Sequence, residues 1–294
     1  MTSKLPFNLP PIDKSDNFPI WDGKNFRVGD VHLPILEYSE NLSGWSEDLT
    51  TLHEDASGKD HPIDIASRKM AVNSVKKYCS SYNQSILEIG CSSGYLLEDL
   101  KWEFKKSQII GADVVRGPLL EIKKKIPDIP LFLFDILKCP IPDNSIDVII
   151  MLNVLEHIED DKLAIKKAFN MLKPNGIFII EVPASPYLYD SYDKELMHFR
   201  RYSTSELKTK VKNSGFIINN ITHLGFLIFP LFAVVKIYNK LFKSGKSVVV
   251  KNNVKKTSDS FVLRFVFYIE NFLFDSIKIC GIRLNLVARK PKNN

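Results

Sequence analysis

A doubly wound α/β core is predicted, and three features of the sequence support that expectation. From residue 85 onward, short apolar runs (SILEIG, QIIGADVV, LFLFDI, IDVIIML, GIFIIEV) alternate with segments of helical period (YLLEDLKWEF, PLLEIKKKI, DKLAIKKAFNML). The runs are continuously aliphatic, as a parallel sheet requires once its crossover helices cover both faces. The first run closes in a turn of small residues that opens a helix, where a ligand can approach backbone N–H groups.

Taken in order, residues 1–61 contain Pro, Asp and Trp without sustained helical period. WDGKNFRVGD and VHLPILEYSE suggest short strands around D-G and G-D turns, so this stretch is an N-terminal extension. The core is expected over 62–224. It opens with a helix to about Tyr78, with Pro62 in the first turn and Asp64 near the positive end of the dipole. After the five strands, Ser203 and Glu206 form a capping-box pattern, and Gly215 can end that helix in a left-handed conformation. FIINNITHL reads as a sixth strand. Residues 225–281 break the alternation with two unusually apolar helical stretches, and RLNLVARK within 282–294 supplies a seventh strand.

With 45% hydrophobic and 25% charged residues, whole-chain disorder is excluded. The cysteines Cys79, Cys91, Cys139 and Cys280 lie far apart, which indicates neither a zinc site nor a disulfide scaffold, and a reducing cytoplasm is the expected location. Residues 1–20 hold no apolar signal-like stretch.

The decisive segment is Glu88-Ile89-Gly90-Cys91-Ser92-Ser93-Gly94. A dinucleotide fingerprint starting at Gly90 needs Gly or Ala where the chain has Ser92 and Tyr95, and it has neither. The spacing acidic-x-Gly-x-x-x-Gly instead resembles the class I S-adenosylmethionine-dependent methyltransferases. That resemblance spans about 62–220 and returns at 283–290, and it implies a Rossmann-like, seven-stranded mixed sheet whose last strand is antiparallel. It further implies that S-adenosyl-L-methionine is the cofactor, held by Glu88, Gly90, Cys91, Ser92 and Gly94. Asp113 and Val114 follow at the end of the next strand, where a carboxylate can take both ribose hydroxyls, and Asp135 and Ile136 stand where the family meets the adenine. Asn153 and His157, in NVLEHI, are implied at the cofactor-side or active-site edge; a plainly packed His157 is the other reading. Neither is read as a metal ligand, because no His or Cys partner lies at ligand spacing.

The loop after the fifth strand, Tyr192 to Tyr202, resembles the His-x-Arg-x-Tyr element of a subset of the family. His198 is therefore the first candidate for general base or acceptor orienter, and Arg200 for binding an anionic or polyhydroxy substrate. The opposing reading is that His198 and the two arginines pair with Asp193 and Glu195 to fix the loop. By analogy, the polar stretch Trp45–Asp55 is a lid, or else a solvated loop.

The insertion adds a question of location. From Asn213 to Val235 there is no charged residue, but only 224–235 is uninterrupted, too short to span a bilayer. Lys236, Lys240, Lys243, Lys246, Lys251, Lys255 and Lys256 follow with no acid before Asp259. In the second stretch Arg264, Asn271, Asp275 and Lys278 share one narrow helical stripe beside a wide apolar arc. The pattern fits peripheral contact with an anionic membrane, a helical cap on the sheet, or a homodimer face; nucleic acid is not expected, because the lysines lack interleaved aromatics. The reading is a methyltransferase acting on a small-molecule, saccharide or lipid-linked acceptor. The alternative is a cofactor-binding but catalytically inert scaffold that docks a membrane-associated partner enzyme.

Overall fold

The computed structural model describes residues 5–12, 17–39, 59–79, 83–242, 261–273 and 279–292. The extension forms a small antiparallel sheet of β1 (Ile20–Trp21), β2 (Phe26–Val28) and β3 (Val31–Leu33), followed by β4 (Leu36–Glu37). The core strands are β5 (Ser85–Ile89), β6 (Gln108–Asp113), β7 (Leu131–Leu133), β8 (Ile146–Leu152), β9 (Leu172–Pro183), β10 (Ile217–Leu224) and β11 (Arg283–Arg289). Helices α1 (Pro62–Tyr78), α2 (Tyr95–Glu103), α3 (Arg116–Lys125), α4 (Asp161–Met171), α5 (Ser191–Glu195) and α6 (Thr204–Asn213) join and flank them.

The main sheet runs β10-β11-β9-β8-β5-β6-β7-β4. Strands β4 to β9 pair in parallel, while β11 is antiparallel to both its neighbours, β9 and β10. Every residue of β5 is buried, as its aliphatic run requires, and the two faces of the sheet carry two separate apolar clusters under the helices. The seven expected strands are present, and the sheet has an eighth. Leu36 and Glu37 pair with Phe132 and Leu133, so the extension closes an edge that β7 would otherwise expose.

The apolar stretches form α7 (Phe229–Phe242) and α8 (Phe261–Leu273). Phe267 of α8 packs with Ile63, Ala66 and Leu224, which docks the insertion on α1 and β10. Glu270, on the same helix, is buried and accepts hydrogen bonds from Gly225 N (2.7 Å) and Leu227 N (2.6 Å), tying α8 to the start of the insertion. The outward faces keep Leu231, Val234 and Phe265 exposed. The basic cluster needs one correction. Lys236 is buried between Asp190 (2.7 Å) and Asp193 (3.0 Å), so its charge is neutralised inside the protein and not offered to a surface. Lys243, Lys246, Lys251, Lys255 and Lys256 lie outside the described residues, as do Asp275, Lys278 and the Trp45–Asp55 stretch. Among the described residues, no helix is long and apolar enough to cross a membrane.

Candidate active site

The order of strands reverses direction between β5 and β8, and at that switch point a crevice opens beyond the strand ends, as in open α/β sheets generally. Here it is a cleft of about 570 Å³. Glu88, Gly90, Cys91 and Ser92 form its floor at the end of β5; Asp113 and Val114 enter from β6; Asp135 and Ile136 follow β7; Asn153 and His157 follow β8. Ten of the residues singled out in the sequence thus meet in one cavity.

Local backbone chemistry explains the convergence. The N–H groups of Gly90 and Cys91 both donate to Ala112 O (2.8 and 3.1 Å), which draws the β5 turn over the end of β6. Asp113 accepts from Ser92 N (2.8 Å) and Val115 N (3.0 Å), fixing its carboxylate between two turns. Gly90 has φ +77°, and a Cβ there would lie 2.4 Å from Val154 Cγ2, so glycine is required on both counts. Gly94 does not line the cleft: it opens α2 at φ +77°, where a Cβ would strike Ile122 Cγ1 at 2.8 Å. Its role is to let α2 pack against α3.

Residues 87–180 match the model of a family described as a methyltransferase domain. A "probable S-adenosylmethionine-dependent methyltransferase" of Mycolicibacterium smegmatis is 25% identical over 142 residues, 47% of this chain and 53% of the relative. The chain spans about half the length of that protein and of its Mycobacterium tuberculosis counterparts. A ubiquinone biosynthesis O-methyltransferase of Marinobacter nauticus is 21% identical over 201 residues, 62% of this chain and 80% of the relative. Haemonchus contortus phosphoethanolamine N-methyltransferase 2, solved with S-adenosyl-L-methionine, shares the fold at a TM-score of 0.53 and 18% identity, over 77% of this chain and 53% of that one.

Residues 87–180 of this chain thus resemble a methyltransferase domain, and the sheet around them has the fold of solved S-adenosylmethionine-dependent methyltransferases. The cleft has a donor set that fits S-adenosylmethionine, the cofactor named for those relatives. Glu88 is buried, and its Oε2 accepts no hydrogen bond among the described residues. Burial first, and then the nearby Asp113 charge, push its carboxyl well above the usual carboxylate range. Hydroxyl or ammonium donors at that oxygen would relieve the desolvation cost, and the cofactor offers both. Asp135 accepts from Leu137 N (2.9 Å), which holds it at the cleft edge.

The loop after β9 is a clamp built around Asp190 and Asp193. Asp190 caps α5, and Asp193, fully buried, accepts from Arg201 Nε at 2.9 Å to each oxygen. His198 Nδ1 lies 2.9 Å from Asp193 Oδ1. Burial opposes ionisation of Asp193, but His198, Arg201 and Lys236 together hold its carboxyl far below the usual range. Burial also lowers the His198 pKa, against the pull of Asp193. A neutral His198 therefore keeps its proton on Nδ1 and leaves Nε2 as a lone-pair donor. Arg200 turns elsewhere: it pairs with Asp161 (2.8 Å) and donates to Glu159 O (2.8 Å), while Tyr202 donates to Asp161 (2.7 Å) and Leu155 O (3.1 Å). Neither His198 nor Arg200 is among the residues that line the cleft, although Phe199 between them is. Arg200 and Tyr202 fasten the loop to the turn after β8.

Sequence reasoning passed over Glu156. It is buried at 1% exposure, its Oε2 accepts no hydrogen bond among the described residues, and burial raises its carboxyl to about 8. The backbone pairing of Phe199 N with Glu156 O (2.8 Å) brings the two segments together, so that the His157 and His198 rings meet edge to face at 4.6 Å. Arg283 was also missed. From β11 it reaches Glu181 (3.0 Å), Ser67 (2.8 Å) and Asp64 (2.6 Å), and with Asp64 it forms part of the cleft wall. The available signal was Arg283 itself, a charged residue at the start of the mostly apolar run RLNLVARK.

Proposed function

We propose that this protein transfers a methyl group from S-adenosylmethionine to a hydroxyl-bearing small-molecule, saccharide or lipid-linked acceptor. The observation that supports this best is the meeting of Glu88, Asp113 and Asp135, from the ends of three successive parallel strands, in one cleft whose far wall is the Asn153–Ile158 turn. When bound, the cofactor supplies an electrophilic methyl carbon on a sulfonium. The chain's own work is to align and to exclude water, since an in-line displacement depends chiefly on orientation. In this reading Glu88 and Asp113 hold the hydroxyl and amino donors, Asp135 and the backbone of Ile136 meet the base, and Gly90 and Ser92 let the ligand approach the β5 turn. His198, oriented by Asp193, and His157 serve the acceptor side, and Arg200 acts by holding the loop.

The lipid-linked option is favoured by the exposed apolar residues Leu231, Val234 and Phe265 on the outer faces of α7 and α8. We place the protein in the cytoplasm, peripherally on an anionic membrane face. The test is transfer of isotopically labelled methyl from S-adenosylmethionine into lipid and saccharide extracts, beside flotation with anionic and neutral vesicles. Labelled product that disappears with Asp113→Ala supports the reading. Tight cofactor binding with no transfer to any extract would favour the inert scaffold instead, and the absence of vesicle binding at low salt would remove the membrane placement.

A further inference from the structure

We propose that Glu156, His157 and His198 form a binding site for a divalent first-row transition ion, which holds and ionises the acceptor hydroxyl at the edge of the methyltransferase cleft. The proposal rests on the cofactor reading above and deepens it. Each of the three side chains offers one ligand atom, and those atoms all lie within 4.8 Å of one another. Ligand atoms at about 2.0–2.2 Å from one tetrahedral ion stand about 3.3–3.6 Å apart, so closing the site takes side-chain movements that shorten the widest separation by up to about 1.5 Å.

Two independent observations say that the cluster is built to receive something. The first is Glu156, a carboxylate at 1% exposure whose Oε2 accepts no hydrogen bond among the described residues, grouped with two imidazoles. Asp193, by contrast, is met by His198, Arg201 and Lys236, and Asp161 by Arg200, Tyr202 and Lys210. The second is the support behind His198. Its Nδ1 sits against Asp193, itself clamped by Arg201 and Lys236, which fixes the ring and leaves Nε2 as the nitrogen not engaged by that carboxylate. A carboxylate behind a histidine is the usual arrangement around metal-ligating imidazoles.

Two imidazoles and one carboxylate favour a borderline ion such as Zn²⁺, Co²⁺ or Fe²⁺ over Mg²⁺, and three protein ligands leave positions open for substrate. The site adjoins the cofactor cleft, which His157 and Phe199 both line. An acceptor hydroxyl bound at the open position loses its proton to solvent, because coordination lowers the pKa of a bound oxygen. The oxygen lone pair then forms the bond to the methyl carbon as the carbon–sulfur bond breaks, the bonding pair passing to sulfur to give a neutral thioether. One proton is released per turnover, and no redox change is required.

The test uses the full chain, freed of metal by chelation and titrated with Co²⁺ under visible absorption and with Zn²⁺ by calorimetry. One ion per chain is expected, with d–d bands of a nitrogen- and oxygen-ligated site, and Zn²⁺ should displace Co²⁺. Glu156→Gln and His198→Gln should each weaken Co²⁺ binding by about 10-fold or more, while retained S-adenosylmethionine binding shows that each variant is folded. Two substitutions at different ligands guard against one failing to fold. No saturable binding, or binding unchanged in both folded variants, overturns the metal site. S-adenosylmethionine binding to the chelated wild-type protein separates the two ideas: binding without a metal response removes only the ion, whereas absence of cofactor binding removes the methyltransferase reading beneath it.

Discussion

Lys236→Met is the sharpest test of how the apolar insertion sits. The side chain is 5% exposed, and its ammonium lies 2.7 Å from Asp190 and 3.0 Å from Asp193, both of whose side chains are fully buried. Removing one partner of a buried pair typically costs about 3–5 kcal/mol, mostly from the charge left behind without compensation. Arg201 and His198 remain on Asp193, so the lower end, about 3 kcal/mol, is the better expectation. At about 2–3 °C per kcal/mol for a chain of this size, the melting temperature should fall by about 6–9 °C. Lys240→Met is the control, because Lys240 makes an exposed 3.3 Å bond to Tyr187 O and its loss should cost under about 0.5 kcal/mol. Scanning calorimetry of the two variants decides the matter. Equal melting temperatures would mean that α7 does not dock on the post-β9 loop, and Lys236 would then rejoin the basic surface.

Three further outcomes follow from the site. Gly90→Ala should lose about 2–5 kcal/mol in urea unfolding, from a residue forced to φ +77° and a clash with Val154 Cγ2, and adding Val154→Ala should recover only the steric part. Glu88→Ala should weaken S-adenosylmethionine binding by about 10- to 100-fold in calorimetry, the effect of losing charge-assisted hydrogen bonds, without changing the fold by circular dichroism. Asp161 governs the acid limb. Burial opposes its ionisation, but Lys210, Tyr202 and Arg200 outweigh it and leave its folded-state pKa below its unfolded value. Its stabilisation is therefore complete above about pH 4 and is lost as pH falls through the lowered folded value. Unfolding midpoints measured from pH 7 to pH 2 should fall less steeply in Asp161→Asn than in the wild type; parallel curves would remove Asp161 from the acid response.

What could be read from the chain and what could not divide along a physical line. The alternation from SILEIG to GIFIIEV gave the parallel sheet because a strand buried on both faces leaves a continuous apolar run, and β5 is buried at every residue. The acids at 88, 113 and 135 were legible because strand ends in this architecture converge by topology alone. A short strand in VHLPILEYSE was legible, but its place as the eighth strand of the main sheet was not, since two residues such as Leu36 and Glu37 carry no mark of the partner they pair with. Glu156 and His198 stand 42 positions apart, and no linear spacing joins them; the fold does so through one backbone hydrogen bond, from Phe199 N to Glu156 O. Lysine spacing could not tell Lys236, which meets two buried carboxylates, from Lys240, which meets one carbonyl at the surface. In the His-x-Arg-x-Tyr stretch, Arg200 pairs with Asp161 and Tyr202 donates to Asp161 and Leu155 O, so both side chains bind the protein's own chain, which spacing alone did not show.

The most direct measurement is calorimetric titration of the purified chain, shown to be free of retained ligand, with S-adenosylmethionine and separately with NAD. One-to-one binding of S-adenosylmethionine at micromolar affinity, lost on Glu88→Ala and absent for NAD, is the result expected of a cleft lined by Glu88, Asp113 and Asp135. A folded protein that binds neither, or that binds NAD alone, would contradict the account at its centre.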